Sequence, residues 1–77
     1  MTMKYVITEE IENYFKDKNI EFAVGSLLLE YEERLRQGKD KIIPKYAVMQ
    51  VFNLSSKKAK LCLRLVEEIK TLSFKTN

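Results

Sequence analysis

Apolar residues recur along this chain at helical rather than strand spacing. Ile11, Tyr14 and Phe15 share one face of a helix predicted over about Glu9 to Lys18. Thr8 can cap it. Glu9 and Glu10 then fall in the first turn, where the helix dipole favours negative charge, and Asn19 is the expected stop. A second helix is predicted over about Glu21 to Gln37, with Gly38 as its C-cap. Val24, Leu27, Leu28, Tyr31 and Leu35 form its main apolar stripe. Glu30 with Arg34 and Glu32 with Arg36 are spaced as i,i+4 ion pairs. Phe22 and Leu29 lie seven apart on the other side of this helix. Either the first helix covers them with Ile11, Tyr14 and Phe15, or they form an interface between chains.

After the loop Gly38 to Lys41, Pro44 suits the first position of a third helix over about Lys45 to Phe52, where its missing N–H costs nothing. Tyr46, Val48, Met49 and Phe52 are its apolar residues. Asn53 can adopt the left-handed conformation of a tight turn. Ser55 or Ser56 then caps a fourth helix running to about Leu72, with Ala59, Cys62, Val66 and Ile69 as its inward stripe and Leu63 and Leu65 beside it. Met3 to Ile7 is β-prone, and a strand from Leu72 to Phe74 can pair with Tyr5 to Ile7 as a minimal wing. The pattern predicts an all-α fold, or a mainly α fold with that small wing, of three to four helices in one domain spanning residues 1–77.

Composition narrows the function classes. The 77 residues include one cysteine, Cys62, and no histidine. An internal disulfide, a Cys/His zinc site and a catalytic histidine are therefore excluded. Ser55 and Ser56 have no histidine to activate them, and Gly25 and Gly38 are isolated rather than part of a phosphate loop. Glu9, Glu10 and Glu12 read as dipole complements rather than metal ligands, and Cys62 as a small core residue. The expectation is a protein that is not an enzyme and needs no metal or cofactor. Phe22 to Leu29, the longest uncharged apolar stretch, is too short to span a bilayer, and the first residues lack the apolar core of a signal peptide, so a cytoplasmic location is expected.

The net charge of +3 conceals an asymmetry. Residues 1–33 carry three lysines against eight acids, a net −5, while residues 34–77 carry eleven Lys/Arg against three acids, a net +8. A basic half suits a polyanion, with the acidic half turned away from it.

Two helices joined by a few residues, the second opening at serine, match the helix-turn-helix form. Val48 and Met49 take buried positions of its first helix, Asn53 the turn, and Leu54 the buried residue that follows. Lys57, Lys60 and Arg64 fall within about 60° of one another on the outward face of the second helix, with Leu61 partly outward. Ser55 and Ser56 stand at its N-terminal end, where backbone N–H groups suit a phosphate. The same pattern also describes a serine-capped amphipathic helix whose lysines simply face water. The run KIIPKYAVMQVFNLSSKKAKLCLRLVEEI resembles the helix-turn-helix core of small winged-helix domains, such as the DNA-reading gamma domain of bacterial DNA translocases, over about residues 42–70. The resemblance implies a nucleic-acid surface at Ser55, Ser56, Lys57, Lys60 and Arg64. Only eight residues follow Ile69, too few for a full two-stranded wing.

Two functions follow as expectations. One is a small protein that places its fourth helix in the major groove of double-stranded DNA, a regulator or replication accessory of phage, plasmid or viral type. Lys39, Lys41 and Lys45 would then be phosphate contacts around the start of the third helix. The other is a helical module that binds another protein through exposed apolar residues of the second helix. A domain this short buries only roughly 60–65% of its unfolded surface and gains from association, so a homodimer through Phe22 and Leu29 is expected.

Overall fold

The computed structural model describes residues 5–38 and 43–76, and among these it contains four helices and no strand. They are α1 (Glu9–Tyr14), α2 (Lys18–Arg36), α3 (Lys45–Phe52) and α4 (Ser56–Thr76). The fold is all-α. α4 packs against both α2 and α3, and α2 touches α3 more lightly. Ala59, Cys62, Leu65, Val66 and Ile69 of α4 are wholly buried. They meet Ile20, Ala23, Val24, Leu27 and Leu28 of α2, Val48 of α3, and Ile11, Ile43 and Leu54 in a single core.

Local chemistry sets the boundaries. The Thr8 hydroxyl accepts from Ile11 N at 3.2 Å and starts α1. The first helix stops earlier than the expected Lys18, and the second starts earlier than Glu21, because Asp17 caps α2 by accepting from Asn19 N at 3.0 Å. Asn19 therefore lies inside α2 rather than ending α1. Pro44 caps α3 from just outside it, with no side-chain bond, instead of occupying its first turn. Gly38 follows the α2 C-cap, Gln37, at φ +72°. Asn53 is left-handed, at φ 53° and ψ 49°, and the turn closes as Leu54 N donates to Met49 O at 3.0 Å. Ser55 is the α4 cap, its Oγ accepting from Lys58 N at 3.2 Å.

The expected wing strand is not formed: residues 72–74 continue α4. No glycine or proline interrupts that stretch, Leu72 packs on the core, and Ser73 is buried. The expected meeting of the two chain ends does occur, in a different form. Val6 N donates to Ser73 Oγ at 3.1 Å, and Tyr5 OH donates to Glu32 Oε2 at 2.7 Å. Burial and the neighbouring Glu32 carboxylate push the Tyr5 hydroxyl well above the ordinary tyrosine range. Tyr5 engages Glu32, while Arg36 pairs with Glu33 at 2.8 Å rather than with Glu32; Arg34 and Glu30 pair as expected at 3.1 Å.

The two faces of α2 separate clearly. Val24, Leu27 and Leu28 are buried and Tyr31 is half-buried, but Leu35 lies 51% exposed at the far end of the stripe. α1 does not cover the second face. Ile11 enters the core and Tyr14 and Phe15 are half-buried, yet Phe22 and Leu29 remain 69% and 64% exposed. Phe22 is braced on one side by an edge-to-face contact with Phe52, with ring centroids 6.0 Å apart.

Candidate nucleic-acid interface

The left-handed Asn53 reverses the chain so that α4 begins beside the end of α3, with Ser55 and Ser56 exposed at its start. The wholly buried residues of α4 fix its rotation about its own axis. With Ala59, Cys62 and Val66 turned inward, Lys57, Lys60 and Arg64 must face out at 100° per residue. All three are exposed. A groove runs between this face, Tyr14 of α1 and Ile20 of α2, and is lined by Ser55, Lys57, Lys58, Lys60, Leu61 and Arg64.

The cations in this groove are not equivalent. Lys57 and Lys60 have no ion pair among the described residues. Lys58 is bound to Asp17, its Nζ lying 3.1 Å from Oδ2. That hydrogen bond holds the Asp17 carboxyl below the usual carboxylate range, against a smaller opposing effect of desolvation. Arg64 is shared: Nε stands 3.7 Å from Glu68 Oε1, and an Nη donates to Tyr14 OH at 3.5 Å. The Ser55 hydroxyl already serves one of the first α4 N–H groups.

Of the expected site residues, the structure brings together Ser55, Lys57, Lys60 and Arg64 around one groove, with Ser56 at the head of α4. Lys45 is not part of it. It opens α3, half-buried, with its ammonium 5.6 Å from the Tyr46 ring centre. The eight residues of α3 set it roughly 12 Å along the helix from the turn. Lys39 and Lys41 lie outside the described residues. Tyr14 is the contributor that sequence reasoning missed. Its spacing with Ile11 marked it as a core residue, and only the packing of α1 beside α4 brings its hydroxyl to Arg64.

Charge segregates less cleanly in space than in sequence. A second groove beside the C-terminal half of α4 is lined by Glu10, Arg64, Glu67 and Glu68, so acidic α1 flanks the helix that carries the lysines. Basic character is concentrated at the N-terminal end of α4; Glu67 and Glu68 follow one turn past Arg64, where Glu67 pairs with Lys70 at 3.5 Å. Cys62 is fully buried, and burial raises its thiol above the ordinary range, which leaves it a packing residue. No three His, Cys, Asp or Glu side chains converge among the described residues, and none of the described helices is long and apolar enough to cross a membrane.

No protein-family model, no curated protein and no solved structure matches the chain.

Proposed function

We propose that this protein binds nucleic acid by setting the N-terminal half of α4 in the major groove of duplex DNA, as a small helix-turn-helix protein of the winged-helix type without a built wing. One observation carries the reading. Lys57 and Lys60 stand exposed, without an ion pair among the described residues, on the first turns of a helix that follows directly on a three-residue turn, where such helices present side chains to base edges and backbone. Ser55 and Arg64 complete the same groove. Lys45, with Lys39 and Lys41, would add flanking phosphate contacts. A DNA regulator or replication accessory of phage, plasmid or viral type, acting in the cytoplasm without catalysis, metal or cofactor, is the role that suits so small a module.

A mobility shift with random-sequence duplex at two salt concentrations tests this, since phosphate contacts release counterions and weaken steeply with salt. Lys57→Glu with Lys60→Glu should abolish the shift and leave helical circular dichroism unchanged, because neither side chain enters the core. Wild-type binding by that variant would remove α4 as the reading surface.

A second reading is favoured by a different observation. Phe22 and Leu29, 69% and 64% exposed, form an uncovered apolar ridge on α2. Leaving two such side chains in water forgoes roughly 1.5–3 kcal/mol each. This is a protein-binding surface, and its expected occupant is a second copy of the chain. An apolar contact of this kind should be nearly indifferent to salt, which separates it from the basic groove.

A further inference from the structure

We propose that two copies of this chain pair antiparallel through the outer face of α2, crossing at Gly25 and Ser26, and that the dimer holds two duplexes on its opposite sides. The bridging half of this proposal rests on α4 being the nucleic-acid surface.

The face is built for a close helix crossing. Phe22, Gly25, Ser26 and Leu29 occupy positions i, i+3, i+4 and i+7, the four residues that surround one contact point on a helix. Two large apolar side chains stand at the ends, and the two smallest residues lie between them. A Cβ placed on Gly25 would meet nothing within 4 Å, so the centre is open. Grooves lie on both sides of this ridge, one toward Val51 and Phe52 of α3 and one toward Tyr5 and Ile7. Exposed Val51 and Ile7 therefore widen the apolar surface.

Charge selects a second copy as the occupant. One turn beyond Phe22 stands Lys18, 3.5 Å from Glu21, and one turn beyond Leu29 stands Glu33, 2.8 Å from Arg36; both lie on the ridge side of α2 and are well exposed, so pairing across a two-fold axis would exchange or extend these surface ion pairs. A two-fold axis across the helix at Gly25 and Ser26 lays Phe22 beside Leu29 of the other copy. It also lays Lys18 beside Glu33 of the other copy, twice by symmetry. A parallel pairing would set Lys18 against Lys18 and lose both matches.

This geometry dictates where the α4 surfaces point. On α2, the residues packed against α4 centre about 170° around the helix from Phe22 and Leu29. On α4, Lys57, Lys60 and Arg64 likewise lie about opposite its buried stripe. Each chain thus carries its apolar ridge and its lysines on opposite sides of the α2–α4 pair. Pairing the ridges turns the lysines outward in opposite directions. The two α4 axes would then be roughly 24–30 Å apart across four stacked helices, at usual packing distances. Such a dimer cannot lay both recognition surfaces along one straight duplex as a palindrome reader does.

Gly25→Arg is the decisive variant. It puts a long cation at the crossing point, its Cβ meets nothing within 4 Å in the folded chain, and it improves helix propensity, so it should fold. Sedimentation equilibrium at tens of micromolar should show a wild-type dimer and a Gly25→Arg monomer. Lys18→Glu should weaken the dimer, and Lys18→Glu with Glu33→Lys should restore it. A bead-bound duplex should retain a second, fluorescent duplex when wild-type protein is added. Gly25→Arg should lower that retention by about tenfold or more while its affinity for one free duplex stays within about twofold. A monomeric wild type, a dimer indifferent to Gly25→Arg, or no rescue by the charge exchange overturns the pairing. A dimer that shifts one duplex but retains no second overturns the bridging. If wild type and Gly25→Arg both fail to shift any duplex, the α4 reading falls and bridging with it, while sedimentation still decides the dimer.

Discussion

Asp17 has two separate tasks. Its Oδ1 accepts the Asn19 N–H and starts α2, and its Oδ2 holds Lys58 across forty-one residues of sequence. The folded carboxyl titrates below its unfolded value, chiefly because of the Lys58 bond. Its stabilising contribution is therefore complete at neutral pH and is lost as pH falls through the ordinary carboxylate range and the lowered folded pKa below it. Asp17→Asn keeps a capping side chain, as asparagine is a good N-cap, but releases Lys58 into the groove that Lys57 and Lys60 already line. Duplex affinity should rise, and the salt slope should steepen by about one contact. The stability gap between wild type and variant should close on acidification, followed by thermal melts across that range. Thr8 and Asn53 were legible in the sequence, and the α4 cap was narrowed to Ser55 or Ser56, because each acts on backbone within a few residues of itself. Asp17 was not: Asp17 and Asn19 are both capping types, and its partner is fixed only when α2 packs on α4. Tyr5 with Glu32 and Tyr14 with Arg64 were hidden for the same reason.

At the level of elements, periodicity identified what each helix buries. The span of α3 was legible, since Pro44 and Asn53 punctuate it chemically at both ends, although Pro44 stands as its cap rather than in its first turn. Most of the inward stripe of α4 followed from spacing, as Ala59, Cys62, Val66 and Ile69 are all fully buried, but Leu65, expected beside the stripe, is buried as completely. The end of α4 did not follow. β-prone residues around Leu72 and Phe74 suggested a strand, but a helix already packed along its length extends at little cost where no breaker intervenes. The extension places Ser73 under the N-terminal segment, where its hydroxyl is the acceptor for Val6 N. Ser73→Ala would leave that half-buried N–H without its partner and should cost about 1 kcal/mol. The loss should be local. Hydrogen exchange at Val6 should accelerate well before the core amides of α4, whereas an unchanged rate at Val6 would mean that Tyr5 and Glu32 hold the segment unaided.

Across the whole molecule, the sequence divides into an acidic first half and a basic second half, but folding interleaves them. α1 lies beside α4, so Glu10 joins Glu67 and Glu68 next to Arg64. What survives is local to α4: Lys57 and Lys60, without an ion pair among the described residues, stand at its first turns, and Glu67 and Glu68 follow past Arg64, with Glu67 paired to Lys70. On the proposed reading the N-terminal end of α4 enters the groove of the duplex, and Glu68 marks where that contact would end. Arg64 sits at the border, 3.7 Å from Glu68. Glu68→Gln should release it, tighten duplex binding and steepen the salt slope by about one contact. Glu30→Gln makes the same change in net charge in the groove between α2 and α3. At physiological salt a charge is screened over about 8 Å, so that variant should leave affinity almost unchanged. Mobility shifts of both variants beside wild type measure the difference directly. Equal gains from Glu68→Gln and Glu30→Gln would show that the duplex responds only to total charge, and α4 would lose its claim to a defined orientation in the groove.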